Sequence, residues 1–82
     1  MKQQIESRGM RPIERRSIST DVARQIQEMI AREGMVPADR LPTERQLAET
    51  LSVSRGAVRE GLKVLAALEI IEIRQGAGIF VA

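Results

Sequence analysis

The 82-residue sequence contains no cysteine and no histidine. Without cysteine there are no disulfides and no thiolate metal sites. Without histidine the commonest general base and the commonest metal ligand are both missing. No nucleophile–base constellation can be assembled from the remaining residues, which argues against an enzyme or an enzyme fragment. Aromatics are nearly absent as well. Phe80 stands alone, which excludes single-strand modules that stack successive bases on aromatic side chains. No apolar run approaches the roughly 20 residues that a membrane span needs. The charged N-terminus lacks the apolar stretch of a secretory signal. A small cytoplasmic domain with no membrane partner and no cofactor of its own is expected.

What the chain does have is charge, unevenly placed. The formal net charge is +2. Residues 1–17 hold five basic and two acidic residues, a net of +3, whereas residues 18–82 hold eight basic and nine acidic, a net of −1. A uniformly basic domain would suggest nonspecific nucleic-acid binding. Here any case for DNA rests on where particular arginines sit. The first 17 residues lack periodicity and are interrupted by Gly9 and Pro12. They read as a flexible basic arm, either simply solvated or reaching along a DNA backbone.

Residues 18–82 read as one domain. A first helix is expected from a cap at Ser19 or Thr20, with Val22, Ile26, Met29 and Ile30 forming one apolar stripe. Gly34 supplies its stop. After a connection holding Pro37 and Pro42, the run Thr43-Glu44-Arg45-Gln46 matches a capping box. It opens a short second helix with Leu47, Ala48 and Leu51 on its buried side. Only Ser52 and Val53 separate that helix from the next cap, Ser54. Two helices so close in sequence must cross sharply, as in a helix-turn-helix. The third helix spans about residues 55–68, with Val58, Leu62 and Leu65 facing the core. Ile71 and Ile73 alternate with Glu72 and Arg74. The turn Gln75-Gly76-Ala77-Gly78 and the run Ile79-Phe80-Val81 then complete a β-hairpin. The expected fold is mainly α with a small β-hairpin, an α+β winged helix-turn-helix of three helices and a two-stranded wing.

With Val58 at the origin of a helical wheel, Arg55, Arg59 and Lys63 fall at about 60°, 100° and 140°, along one flank beside the core face. Arg55 and Arg59 lie nearest the N-terminus, the end that helix-turn-helix proteins insert into the major groove. The planar guanidinium fork suits guanine O6 and N7, or phosphate oxygens. Ser54 combines a helix cap with a hydroxyl within reach of phosphate. The alternative for this flank is a solvated face with Arg59 paired to neighbouring glutamates. Arg45 sits in the first turn of the second helix, where a cation is locally unfavourable. Either a phosphate or an ion pair with Glu44, Glu49 or Asp39 would account for it.

Gly56 and Gly61 interrupt the third helix, each at a cost of roughly 1 kcal/mol against alanine. Gly61 reads as a close-packing position. Gly56 faces outward: either it lets the helix backbone approach DNA closely, with Ala57 beside it able to touch a thymine methyl, or it is simply tolerated near the helix end. In the wing turn the glycines either serve only the positive φ of the turn or, at Gly76, leave no side chain to keep the tip out of a minor groove, with Gln75 and Arg74 alongside.

Residues 41–64, LPTERQLAETLSVSRGAVREGLKV, and residues 73–81, IRQGAGIFV, resemble the GntR family of bacterial repressors and activators. The resemblance begins near Ser17 and covers about four-fifths of the chain. The VREGLKVL stretch followed by this wing looks most like the FadR-type subfamily. The resemblance implies that Arg45 contacts the DNA backbone, that Ser54, Arg55 and Arg59 supply phosphate and guanine contacts, and that Gln75 and Gly76 approach the minor groove. Three departures stand out. The family usually has Pro-Gly where this chain has Pro37-Ala38, and Thr or Pro where it has Gly56 and Ala57. It also favours glycine where this chain has Glu69. The first turn is therefore expected to differ, and the third helix to end differently, because a left-handed conformation is strained for Glu69.

The resemblance further implies a larger C-terminal domain that binds a small metabolite and forms a homodimer. The chain stops at Ala82, just past the wing, and is expected to be an excised or truncated reader domain lacking that part, the alternative being a natural stand-alone protein. The expected function is sequence-specific binding of a palindromic double-stranded operator, with helix 55–68 in the major groove and wing 74–79 near the minor groove. A protein-docking winged helix is the competing class. It would show salt-insensitive partner binding that survives loss of Arg55 and Arg59.

Overall fold

The computed structural model describes residues 9–10 and 17–82. The arm expected over residues 1–17 therefore lies, apart from Gly9, Met10 and Ser17, outside the described residues. Three helices and a hairpin follow in chain order: α1 (Ile18–Arg32), α2 (Glu44–Leu51), α3 (Arg55–Ala67), β1 (Ile71–Arg74) and β2 (Gly78–Val81). This is the α+β architecture expected from the sequence.

The cap of α1 is Ser17, not Ser19 or Thr20. Its extended backbone lies outside the helix, and its hydroxyl accepts the Thr20 amide at 3.1 Å. Ser19 and Thr20 carry the same hydroxyl chemistry but already lie inside the first turn. Val22, Ala23 and Ile26 are buried, and Met29 and Ile30 pack against the core as the stripe requires. Gly34, at φ 62°, closes the helix, with the Met35 amide donating to the Ile30 carbonyl at 3.0 Å.

The next segment contains two departures from expectation. Val36-Pro37-Ala38-Asp39 forms a tight turn in which the Asp39 amide donates to the Val36 carbonyl at 3.0 Å. Ala38 takes φ 80°, the conformation that a glycine would adopt without strain. Pro-Ala thus occupies the turn without abandoning its positive φ. Residues 39–41 then run antiparallel to β2, with Leu41 N donating to Ile79 O and Val81 N to Asp39 O, both at 2.8 Å. An isolated bridge pairs Arg40 with Phe80. A connection expected to be plain loop is therefore a third edge alongside the hairpin.

The capping box of α2 is reciprocal. Gln46 N donates to Thr43 Oγ1 at 3.1 Å, and Thr43 N donates to Gln46 Oε1 at 2.9 Å. Ser52 ends this helix at φ 56°, and Ser54 caps α3 only two residues later. On α3 the buried residues are Val58, Gly61, Leu62 and Leu65, the face that the wheel places against the core. A Cβ on Gly61 would lie 2.7 Å from Val22 Cγ1 and 2.9 Å from the Ser19 carbonyl. Absence of a side chain there lets α1 cross α3 closely.

The helix α3 ends at Ala67, with Leu68 as its cap, one residue short of the expected span. Glu69 does adopt a left-handed φ of 61°, and the Ile70 amide donates to the Leu65 carbonyl at 2.9 Å. The glycine-type ending is thus kept with glutamate in the glycine's place, contrary to expectation. Packing beyond the cap over-determines it, because Ile70 rests against the core and Ile71 is buried.

In the hairpin, Ile71 faces Val81 and Arg74 faces Gly78. Ile71, Ile79 and Val81 are buried, but Ile73 is 47% exposed. Ile73 shares the inward face of β1 yet lies beyond the edge of the core, so alternation alone overstates its burial.

Candidate nucleic-acid interface

One open groove runs between α3 and the wing. Arg55, Arg59 and Lys63 line its helical wall, and residues 73–79 line the other, with Arg40 and Glu44 completing it. Its charged lining is five cations against one carboxylate, although residues 18–82 are slightly acidic overall. The fold therefore creates a basic surface that composition conceals.

The carboxylate is Glu44, at the first position of α2, where a negative charge also suits the helix dipole. It grips both α3 arginines. Arg59 donates through Nε to Oε2 and through Nη2 to Oε1, each at 3.0 Å, and Arg55 Nε donates to Oε1 at 3.1 Å. The Arg59 contact is the two-pronged arrangement that fixes a guanidinium plane. Hydrogen bonding from Arg59 holds the Glu44 carboxyl below its usual range, with Arg55 adding to the effect and partial desolvation opposing it. The same bond raises the Arg59 guanidinium, so both partners stay ionised. Glu44 leaves most of each arginine open: Arg55 and Arg59 side chains are 61% and 55% exposed.

The eight residues singled out in sequence do not all converge. Arg55, Arg59, Gln75 and Gly76 line the groove. Arg45 sits beside it on α2, paired with Glu49 at 3.4 Å, which is one of the ion pairs considered for it. Ser54 Oγ accepts the Ala57 amide at 3.0 Å, leaving its hydroxyl hydrogen free to be donated. Gly56 is exposed, and a Cβ there would meet only Ser54 Oγ at 3.8 Å. Close packing does not explain this glycine. Ala57 is half-buried, less available than Gly56 beside it. Gly76, at φ 75°, turns the wing tip with open space where a side chain would be.

Neighbouring glutamates are the partners that the sequence offers Arg59. The partner is 15 residues away on another helix. Arg40 was missed entirely, and so was the position of Phe80. Phe80 is not a core residue. Its ring lies on the outer face of the hairpin, with the Arg74 guanidinium 4.3 Å and the Arg40 guanidinium 5.8 Å from its centroid. Among the described residues, no group of three or more acidic side chains could hold a metal ion, and no helix is long and apolar enough to cross a membrane.

The family model described as bacterial regulatory proteins, gntR family, matches residues 18–81. The transcriptional regulator Mce2R of Mycobacterium tuberculosis (strain CDC 1551 / Oshkosh) is 48% identical over 68 residues, which is 83% of this chain and 28% of that protein. A solved GntR structure from Streptococcus agalactiae is similar with a TM-score of 0.73 at 33% identity, covering 78% of this chain and 31% of that one. The DNA-binding domain of AraR, crystallised with operator ORX1, is similar with a TM-score of 0.76 at 27% identity, covering 89% of this chain and 90% of that one. This chain thus spans less than a third of the length of the curated relatives it matches. Those relatives are transcriptional regulators rather than enzymes, and this chain, a winged helix-turn-helix, belongs to the GntR family of bacterial regulatory proteins.

Proposed function

We propose that this domain reads operator DNA by sequence, with the N-terminal half of α3 in the major groove and the wing turn, residues 74–79, near the minor groove. The observation that carries the reading is the α3 edge itself. Arg55 and Arg59 project into a basic groove while one carboxylate fixes their orientation. Orientation matters because discrimination between bases depends on aligned, two-pronged hydrogen bonds, each giving about 1–3 kcal/mol. Glu44 acts as the positioning residue that supplies this alignment. The likeness to an AraR domain bound to its operator supports the same reading.

Roles then divide along the interface. Arg55 and Arg59 select bases. Arg45 and Ser54 anchor the backbone, and Gly56 allows α3 to approach closely. Ala57, Gln75 and Gly76 contribute at the margins, the last two through the minor groove. The complete regulator pairs two such domains on a palindrome through a C-terminal effector-binding domain that takes a small metabolite. The VREGLKVL stretch favours the FadR-type branch of the family, and a regulator of genomic DNA works in the cytoplasm. Selection of bound duplexes from a random DNA pool tests this reading. Enrichment of an inverted repeat with fixed half-site spacing is expected. Recovery of unrelated sequences bound with equal affinity would contradict it.

A further inference from the structure

We propose that Arg40 is a DNA-phosphate ligand at the mouth of the groove, one that the sequence motifs do not single out. The inference rests on the operator-reading function above and extends its contact surface to the segment before α2.

Arg40 is exposed and makes no ion pair or side-chain hydrogen bond among the described residues. Asp39, the adjacent acidic residue, is turned away, and its carboxylate accepts the Val36 amide at 2.9 Å. The Arg40 guanidinium is nevertheless held in a definite place. Its backbone is tied to β2 by the bridge to Phe80. Its Nε lies 2.9 Å, and its Nη2 3.0 Å, from where a Cβ on Gly78 would be. The absence of a side chain at Gly78 is what lets the guanidinium lie over the wing strand.

That position puts Arg40 beside a second cation. Arg74 rests on the same Phe80 ring and is partly balanced by Glu72 at 3.2 Å. Among the described residues Arg40 has no such counter-charge. Two guanidiniums brought to one ring, with the Glu72 carboxylate paired to Arg74 and not to Arg40, form a site that an anion completes. The planar fork of Arg40 matches phosphate oxygens. Arg40 also lines the same groove as Arg55, Arg59 and Gln75, so a bound phosphate would belong to the backbone between the two grooves that α3 and the wing approach.

The test uses the 82-residue chain and two fluorescein-labelled duplexes, one selected from the random pool and one scrambled, titrated by anisotropy across a salt series. Arg40→Gln is expected to weaken both complexes by the same factor. It should also lower the slope of log affinity against log salt by about 0.9, the signature of one lost phosphate contact. Arg40→Lys, which keeps the charge, should retain the wild-type slope. An unchanged slope in Arg40→Gln, a loss confined to the selected duplex, or an equal slope loss in Arg40→Lys would overturn the proposal. A lost thermal transition in Arg40→Gln would make the residue structural and overturn it too. Arg59→Ala serves as the reference. If it loses the selected duplex while Arg40→Gln does not, Arg40 alone has been misassigned. If wild-type protein binds neither duplex, the operator reading itself fails and this inference with it.

Discussion

The two walls of the groove hold their cations in different ways. On the helical wall, Glu44 grips Arg59 with two hydrogen bonds and Arg55 with a third, all between 3.0 and 3.1 Å. On the wing side, Arg40 and Arg74 rest against a single phenylalanine ring, and Arg74 also meets the Glu72 carboxylate at 3.2 Å. A carboxylate fixes the plane and direction of a guanidinium but cancels part of its charge. An aromatic face keeps the full charge and constrains direction weakly, at about 0.5–1 kcal/mol for an exposed pair. Reading a base edge requires direction, while attraction to a phosphate requires charge within reach. In the proposed reading the helical wall suits the first task, and Arg40 on the wing side suits the second.

The comparison can be broken first at Arg59. Arg59→Ala should cost the selected duplex roughly 5–150-fold in affinity, the range of one base contact, and cost a scrambled duplex much less. Equal losses on the two duplexes, measured by anisotropy, would move Arg59 from base reading to backbone binding.

A smaller and uniform effect is expected at Arg45. Its pairing with Glu49 is exposed on both sides, and such pairs are worth about 0–1 kcal/mol, so the fold should hardly notice its loss. Arg45→Ala should weaken selected and scrambled duplexes alike and lower the salt slope by about one phosphate contact. Loss of discrimination instead would place Arg45 among the reading residues.

Glu44 makes the helical wall sensitive to acid. Its folded carboxyl lies below the ordinary value of 4.5. Stability from the clamp is therefore complete above that value and lost as pH falls through the lowered one. Urea unfolding should show wild type more stable than Glu44→Gln at neutral pH, with the gap closing in acid below pH 4.5. A gap that widens on acidification would reverse the sign. The wing side should show the smallest effect. Phe80→Leu should reduce stability by no more than about 1 kcal/mol and leave discrimination between duplexes intact.

Much of this architecture was legible in the chain because it is local. The stripe Val22, Ile26, Met29 and Ile30, the Thr43–Gln46 box and the Val58–Leu62–Leu65 face each lie within a few turns. The flank carrying Arg55 and Arg59 follows from the same periodicity. Three positive-φ residues were harder. Ala38, Ser52 and Glu69 all adopt conformations in which glycine would be sought; core packing of the residues beside Ser52 and Glu69, and the hydrogen bond from the Ala38 amide to the Val81 carbonyl, hold them there, and no local pattern reports either. Ser17, Ser19 and Thr20 are equally good caps by chemistry, and only the point where the backbone becomes helical chooses among them. The two charged residues that define the walls were least legible. Glu44 meets Arg55 and Arg59 across 11 and 15 residues. Arg40 reaches the wing through pairing with Phe80, some 40 residues on. Both are products of tertiary structure.

The contrast between aimed and merely attracted cations is tested most directly by Glu44→Gln, an isosteric change that removes the clamp's charge. Affinities of wild type and variant for the selected and scrambled duplexes should be measured side by side at one salt concentration. Loose, less neutralised arginines should bind the scrambled duplex at least as well as before. The ratio of selected to scrambled affinity should fall by about tenfold, the equivalent of 1.4 kcal/mol. An unchanged ratio, or a parallel loss on both duplexes, would mean that Glu44 does not aim the reading edge.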